Sequence, residues 1–327
     1  MIYLQNSLKK LEHLPDDDFG TAISYLLFGV VAGLSLDICA KWLLADYPLQ
    51  QFVFLRSIFG VMFFLLSARW YGGYGALLTK RWKWHLLRTV LATGAMFGFF
   101  YGLSRMPLVN ALTIAFTAPL MVTALSVPFL GEHVGWRRWL AVLAGFAGVL
   151  IVLRPGQGMI TPAAIGLLIA AVCYSGLALT ARKLAATESS FSLAIYVVSG
   201  PLLVSAFMLP GNYIAPTTNG WLLFLLAGVC SSLAWVGIIG GYRRAPPALL
   251  APFEYTALIG AAAAGYWIWD EVPDKWVITG GLIIIGSGLF IVYREVGNVM
   301  TNRYLRVFTA SGAAALVRRV RRSRSRS

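Results

Sequence analysis

Ten stretches of about twenty apolar residues, each followed by a short break, constrain this chain more than any other feature. They run over 21–44, 49–68, 85–104, 107–130, 136–153, 162–184, 190–209, 221–242, 247–268 and 276–293. The breaks carry residues that end helices, such as Asp46-Tyr47-Pro48, Arg154-Pro155-Gly156 and Pro210-Gly211-Asn212. In a bilayer every backbone polar group must be satisfied internally, and these runs lack the two-residue alternation of a membrane β-barrel. The expected fold is an all-α polytopic membrane protein with ten transmembrane helices. Charged residues make up 12% of the chain and hydrophobic ones 58%, against about a quarter and just under a half in soluble domains, which excludes a soluble enzyme.

The net charge of +14 does not point to nucleic acid, because the basic residues punctuate apolar runs and form no single solvated face. They report orientation instead. With the N-terminus in the cytoplasm, 22 of the 27 Lys and Arg residues fall on the inner side. Arg105, Arg154 and Lys275 fall outside, and Lys41 and Arg56 lie within spans. Both termini are therefore expected in the cytoplasm of a cell (inner) membrane. Residues 1–20 carry Lys9, Lys10, Glu12 and Asp16-Asp17-Asp18 and lack a signal peptide's apolar core, so the first span reads as part of the mature protein. Cys39, Cys173 and Cys230 each sit in an apolar run without ligand spacing and read as packing residues.

The sequence also repeats itself. A shift of 139 residues aligns Gly98 with Gly237, Gly102 with Gly241, Arg105 with Arg244, Pro107 with Pro246, Thr117 with Thr256, Ala118 with Ala257, Ala124 with Ala263 and Glu132 with Glu271. Each copy holds five spans, an odd number, so the second must cross the membrane upside down. Inverted repeats of this kind build alternating-access carriers with a binding site near the midplane. The expected organisation is an N-terminal segment 1–20, five-helix repeats over 21–155 and 160–295, and a basic tail over 296–327 attracted to anionic headgroups.

Specific stretches resemble a known family. Pro107-Leu108-Val109-Asn110-Ala111, Thr117-Ala118-Pro119, Phe129-Leu130-Gly131-Glu132 and Ile151-Val152-Leu153-Arg154-Pro155 are similar to the EamA domain of the drug/metabolite transporter superfamily. The second copy resembles it through Ala251-Pro252-Phe253-Glu254-Tyr255-Thr256 and Trp269-Asp270-Glu271-Val272-Pro273. It departs from the family's Leu-Gly-Glu by reading Trp269-Asp270-Glu271, which puts the conformation of that turn in question. The resemblance implies a ten-helix inverted-repeat carrier of small metabolites. Amino acids and their derivatives, nucleoside-like metabolites such as S-adenosylmethionine, and flavin-type vitamins are the implied cargos.

A charge inside a spanning helix costs about 2.5–3.5 kcal/mol even on the lenient insertion scale, so each needs a partner or a wet cavity. Asp37 and Lys41 lie one turn apart on the first span and face the same way; Lys41 also reads as snorkelling to the edge. Arg56 has no partner nearby in sequence, leaving Asp37, Glu254 or a ligand anion. Glu254, flanked by Phe253 and Tyr255, suits proton coupling or a cationic group. Tyr101, Phe116, Tyr174, Tyr196, Trp235 and Tyr255 lie deep enough to line a cavity, and aromatics with one acid and one base would suit an amphipathic or zwitterionic metabolite. Glu132 and Glu271 read as helix-end capping residues, and Arg105 and Arg244 as anchors. Pro119 and Pro201 are expected to kink their helices.

The expected activity is secondary transport of a small organic solute driven by a proton or solute gradient, with the bilayer and the solute as partners, a homodimer left open, and no catalytic residues, cofactor or metal. His13, His85 and His133 lie in tails or at edges without ligand spacing, and no phosphate-cradling Gly-Lys-Ser/Thr loop occurs. The competing classes are an integral-membrane lipid-modifying enzyme, which needs a polar catalytic cluster at one face, and a passive channel, which would not saturate.

Overall fold

Long apolar segments without interior polar partners close their own hydrogen bonds, and the chain is helical wherever hydropathy requires it. The computed structural model describes residues 16–67, 79, 81–131, 134–154, 161–184, 188, 190–244, 250 and 253–294. The helices are α1 (Asp16–Asp46), α2 (Leu49–Ser67), α3 (Trp82–Leu103), α4 (Leu108–Ala115), α5 (Ala118–Leu130), α6 (Trp136–Leu153), α7 (Pro162–Leu184), α8 (Ser190–Met208), α9 (Thr218–Arg244), α10 (Thr256–Trp269) and α11 (Lys275–Arg294). Eight segments are long and apolar enough to cross a membrane, with α4 and α5 forming one of them, and two shorter apolar helices lie at Ile195–Met208 and Thr256–Trp269. Together these are the ten spans. No strand occurs among the described residues.

Close helix approaches reveal the inverted repeat. A Cβ placed on Gly98 of α3 would sit 2.5 Å from the Gly166 carbonyl oxygen of α7, and one on Gly237 of α9 would sit 2.5 Å from Gly29 Cα of α1. Gly98 and Gly237 are partners under the 139-residue shift. A second pair of contacts behaves the same way. Gly200 of α8 meets Thr89 and Thr93 of α3, while Gly60 of α2 meets Gly228 and Ser232 of α9. The pairings α1–α9 and α3–α7, α2–α9 and α3–α8, and α1–α10 and α5–α7 thus exchange under the repeat, whereas α2–α8 maps onto itself. Small residues at these crossings let backbones approach where lipid offers no hydrophobic drive for association.

Two expectations about proline come out differently. The fourth span breaks just before Pro119: Phe116 and Thr117 form a turn, and the Thr117 N–H bonds the Ile114 carbonyl at 3.0 Å, three residues back. Pro119 has no N–H to offer the Ala115 carbonyl, which fixes the break one turn ahead of the ring. In contrast α8 runs through Pro201 as one helix. The altered turn of the second copy keeps its shape. Gly131 ends α5 with φ 65° and ψ 26°, and its repeat partner Asp270 ends α10 with φ 56° and ψ 31°. Aspartate is among the few side chains that enter the left-handed region at modest cost, so Asp replaces Gly without changing the exit path.

Candidate functional site

The ninth span is interrupted at Tyr255, the repeat partner of Phe116, so both broken helices turn at equivalent positions. The two turn residues meet: the Phe116 and Tyr255 rings lie 5.1 Å apart, tilted by 32°. Discontinuous helices facing each other across the repeat axis are the usual frame of a midplane solute site. The Ser175 hydroxyl of α7 donates to the Ala118 carbonyl at the start of α5 at 3.0 Å, tying α7 to the turn. The Thr117 hydroxyl, fully buried at the turn, has no hydrogen-bond partner among the described residues.

Glu254 stands beside this meeting point. One of its carboxylate oxygens accepts a hydrogen bond from the Tyr242 hydroxyl of α9, and Tyr174 and Tyr255 lie within its electrostatic range. Tyr174 retains 48% of its surface, and Glu254 and Tyr242 are also only partly covered.

Arg56 forms a second polar centre, 94% buried in α2 (6% exposed). Its Nη2 donates to Ser231 Oγ of α9 at 2.7 Å, its Nη1 meets the Met96 sulfur of α3 at 2.9 Å, and its plane lies 5.4 Å from the centre of the Phe100 ring. Nε has no partner. Asp37 is the acid within electrostatic range, but among the described residues Arg56 makes no ion pair within 4 Å with Asp37 or Glu254.

Lys41 belongs elsewhere. It does not pair with Asp37, as its helical face allowed, but with Glu271, while its ammonium also reaches the Met106 carbonyl at 3.4 Å and lies 4.8 Å from the Trp269 ring centre. The second oxygen of Glu271 accepts the Leu108 N–H at 3.0 Å, capping the start of α4. The reason is reach: Lys41 is near the helix end, where its stem extends to the edge. Glu132, the repeat counterpart of Glu271, lies outside the described residues. Tyr101 packs beneath the Arg105 guanidinium at 4.0 Å, and Arg244 lies over Tyr25 at 4.1 Å in the matching position. Trp235 is half-buried on α9 between Ser231 and Tyr242.

Two basic side chains assigned to the edge are internal. Arg88, counted with an inner connection, is buried in α3 and donates to the Leu177 and Leu193 carbonyls and to Thr180 Oγ1 at 2.9, 3.3 and 3.0 Å. His85 is also buried, 3.3 Å from Glu188 and stacked on Tyr196 at 4.3 Å, so Tyr196 joins this cluster and not the Glu254 site. Burial alone would push the Glu188 carboxyl up, but hydrogen bonds from Thr79 and Ser192 and the close approach of His85 hold it below the ordinary range. Neither imidazole nitrogen has an aligned hydrogen-bond partner among the described residues, so no nucleophile is held on it. No three His, Cys, Asp or Glu among the described residues gather as metal ligands.

Tyr242, Ser231 and Met96 escaped the sequence reading. Tyr242 closes a span beside two arginines, where an interfacial aromatic is the ordinary reading. Spacing offered a signal: Ser231, Trp235 and Tyr242 fall within about 40° on a helix of 3.6 residues per turn, one stripe of α9.

Known proteins agree with this architecture. The EamA-like transporter family matches residues 20–154. The S-adenosylmethionine uptake transporter of Rickettsia bellii (strain RML369-C) is 30% identical over 277 residues, covering 85% of this chain and 95% of its own. The riboflavin transporter of Rhizobium johnstonii is 27% identical over 285 residues, covering 84% and 92%. The pseudopaline exporter CntI of Pseudomonas aeruginosa is 27% identical over 268 residues, covering 80% and 93%. A crystal structure covering 81% of this chain and 95% of its own shares the fold with a TM-score of 0.59 at 19% identity. Two broken helices meeting across an inverted repeat and near-full-length kinship to carriers lead to one conclusion: the chain belongs to the EamA-like transporter family of the drug/metabolite transporter superfamily.

Proposed function

We propose that this chain is a secondary carrier that moves a small organic metabolite, of the amino-acid-like, nucleoside-like or vitamin-like classes, by alternating access. Its halves, 21–155 and 160–295, rock about the Phe116–Tyr255 contact, with both termini in the cytoplasm of the inner membrane. Glu254 is the coupling group, binding either a proton or the cationic part of the solute. The observation that carries this reading is a carboxylate bonded to Tyr242 at the point where the two interrupted helices meet. In support, relatives over most of their length are named for S-adenosylmethionine uptake, riboflavin transport and pseudopaline export. A channel would need no such buried acid at a repeat axis, and a lipid-modifying enzyme would need a nucleophile aligned on a base, whereas among the described residues neither imidazole nitrogen of His85 has an aligned partner.

The test is counterflow in proteoliposomes loaded with S-adenosylmethionine, riboflavin and amino acids in turn, with and without a pH gradient. Saturable counterflow of at least one solute is expected. Glu254→Gln should abolish net transport driven by the gradient while the protein still inserts and remains monodisperse. Unsaturable flux, or unchanged kinetics in Glu254→Gln, refutes the proposal.

A further inference from the structure

One stripe of α9 carries Ser231, Trp235 and Tyr242, and the two ends of that stripe hold opposite charges. Ser231 is bonded to Arg56 and Tyr242 to Glu254. Eleven residues of helix separate them, roughly 16 Å at 1.5 Å per residue, with Trp235 between.

The Arg56 end is unfinished. A guanidinium carries five N–H donors in a planar fork. Among the described residues one ordinary oxygen acceptor, Ser231 Oγ, serves it at 2.7 Å; a thioether, a weak acceptor, touches Nη1 at 2.9 Å; and Nε is left without a partner although the side chain is 6% exposed. Asp37 balances the charge at a distance but fills none of the fork. A buried donor without an acceptor costs about 1–3 kcal/mol, more for a charged group, so the vacancy is held by the surrounding packing and is relieved when an acceptor arrives. The acceptor that matches a planar two-pronged donor is a carboxylate.

We propose that Arg56 is the docking subsite for a carboxylate of the transported solute. The body of that solute lies along Trp235 and its far end reaches the Glu254–Tyr242 pair. The specificity that follows is for elongated organic carboxylates. A free amino acid, whose ammonium sits beside its carboxylate, cannot engage both ends at once. This rests on the carrier reading above and adds the solute's charge pattern to it.

The experiment compares two probes of nearly equal size on the full-length protein in detergent, S-adenosylmethionine and its decarboxylated analogue, by thermal stabilisation and tryptophan fluorescence. The expected result is at least tenfold tighter binding of the carboxylate probe. In Arg56→Gln the two affinities converge, in Arg56→Lys the preference is partly kept, and in Glu254→Gln it is unchanged. Free methionine should bind at least tenfold more weakly than S-adenosylmethionine. Equal affinities in the native protein, or a preference that survives Arg56→Gln, overturns the subsite. So does counterflow of riboflavin alone with no binding of either probe, an outcome that leaves the carrier reading standing. A full Arg56-dependent preference without counterflow of any solute supports the subsite and counts against the carrier reading instead.

Discussion

Replacing Gly237 by alanine tests the packing argument at its tightest point. A Cβ there would lie 2.5 Å from Gly29 N and Cα and 2.7 Å from the Tyr25 carbonyl oxygen, all main-chain atoms of α1. None can swing aside as a side-chain tip would, so α1 and α9 must separate by on the order of 1 Å to restore ordinary contact. A gap of that size forfeits a quarter to a half of each dispersion contact along the crossing. Overpacking of this kind costs about 1–3 kcal/mol, against a helix-propensity gain of up to about 1 kcal/mol for Gly→Ala. The net expectation is a loss of about 1–2 kcal/mol, read as a fall of a few degrees in the thermal midpoint of detergent-purified protein. The control is Gly286→Ala on α11, where a Cβ meets nothing within 4 Å; it should be neutral or slightly stabilising. Gly98→Ala, the repeat-related change, should match Gly237→Ala. If Gly237→Ala is as stable as Gly286→Ala, the contact does not hold the halves together as argued.

Asp270→Gly should leave the thermal midpoint unchanged or raise it, whereas Asp270→Ala should cost about 1–2 kcal/mol, because only the β-carbon without aspartate's local polar contacts is strained at positive φ. Glu271→Ala strips Lys41 of its counter-ion and uncaps α4, with an expected loss of about 3 kcal/mol; Lys41→Met combined with Glu271→Met should recover part of it in the same melt. Asp274 accepts the Trp276 and Val277 N–H groups at 2.9 Å and pairs with Arg154, and these bonds outweigh burial to hold its carboxyl below the ordinary value. A lowered pKa in the folded state means stability that is complete above about pH 4 and lost as the pH falls through the folded pKa. Melts between pH 3 and 7 should therefore show a steeper acid loss in the native protein than in Asp274→Asn.

Hydropathy is local and additive, and so it is legible in a single sequence. The spans 136–153 and 162–184 coincide with α6 and α7, and the other described ends differ by a few residues. The inverted repeat was legible for the same reason, since the close-contact residues Gly98 and Gly237 stand at a fixed offset. Glu254 was singled out because a deep acid is costly to place in lipid, and Tyr255, Phe116 and Tyr174 because deep aromatics can line a cavity; the fold brings these four together. Lys41, Tyr101 and Tyr196 satisfied the same criteria and went elsewhere.

What hydropathy cannot rank is the choice of partner. Arg56 meets a serine 175 positions along, and Lys41 an acid 230 positions along. Which of several carboxylates or hydroxyls a buried cation reaches depends on how closely two helices approach, and that distance is set by small residues facing each other across the bundle. The chain on its own thus determined that there are ten spans in two opposed halves, because each span must independently remain in lipid. Only the tertiary structure decided that the Phe116 and Tyr255 turns meet, that Tyr242 bonds Glu254, and that Arg56 keeps an unmatched fork, because those facts belong to pairs of helices and not to any one of them.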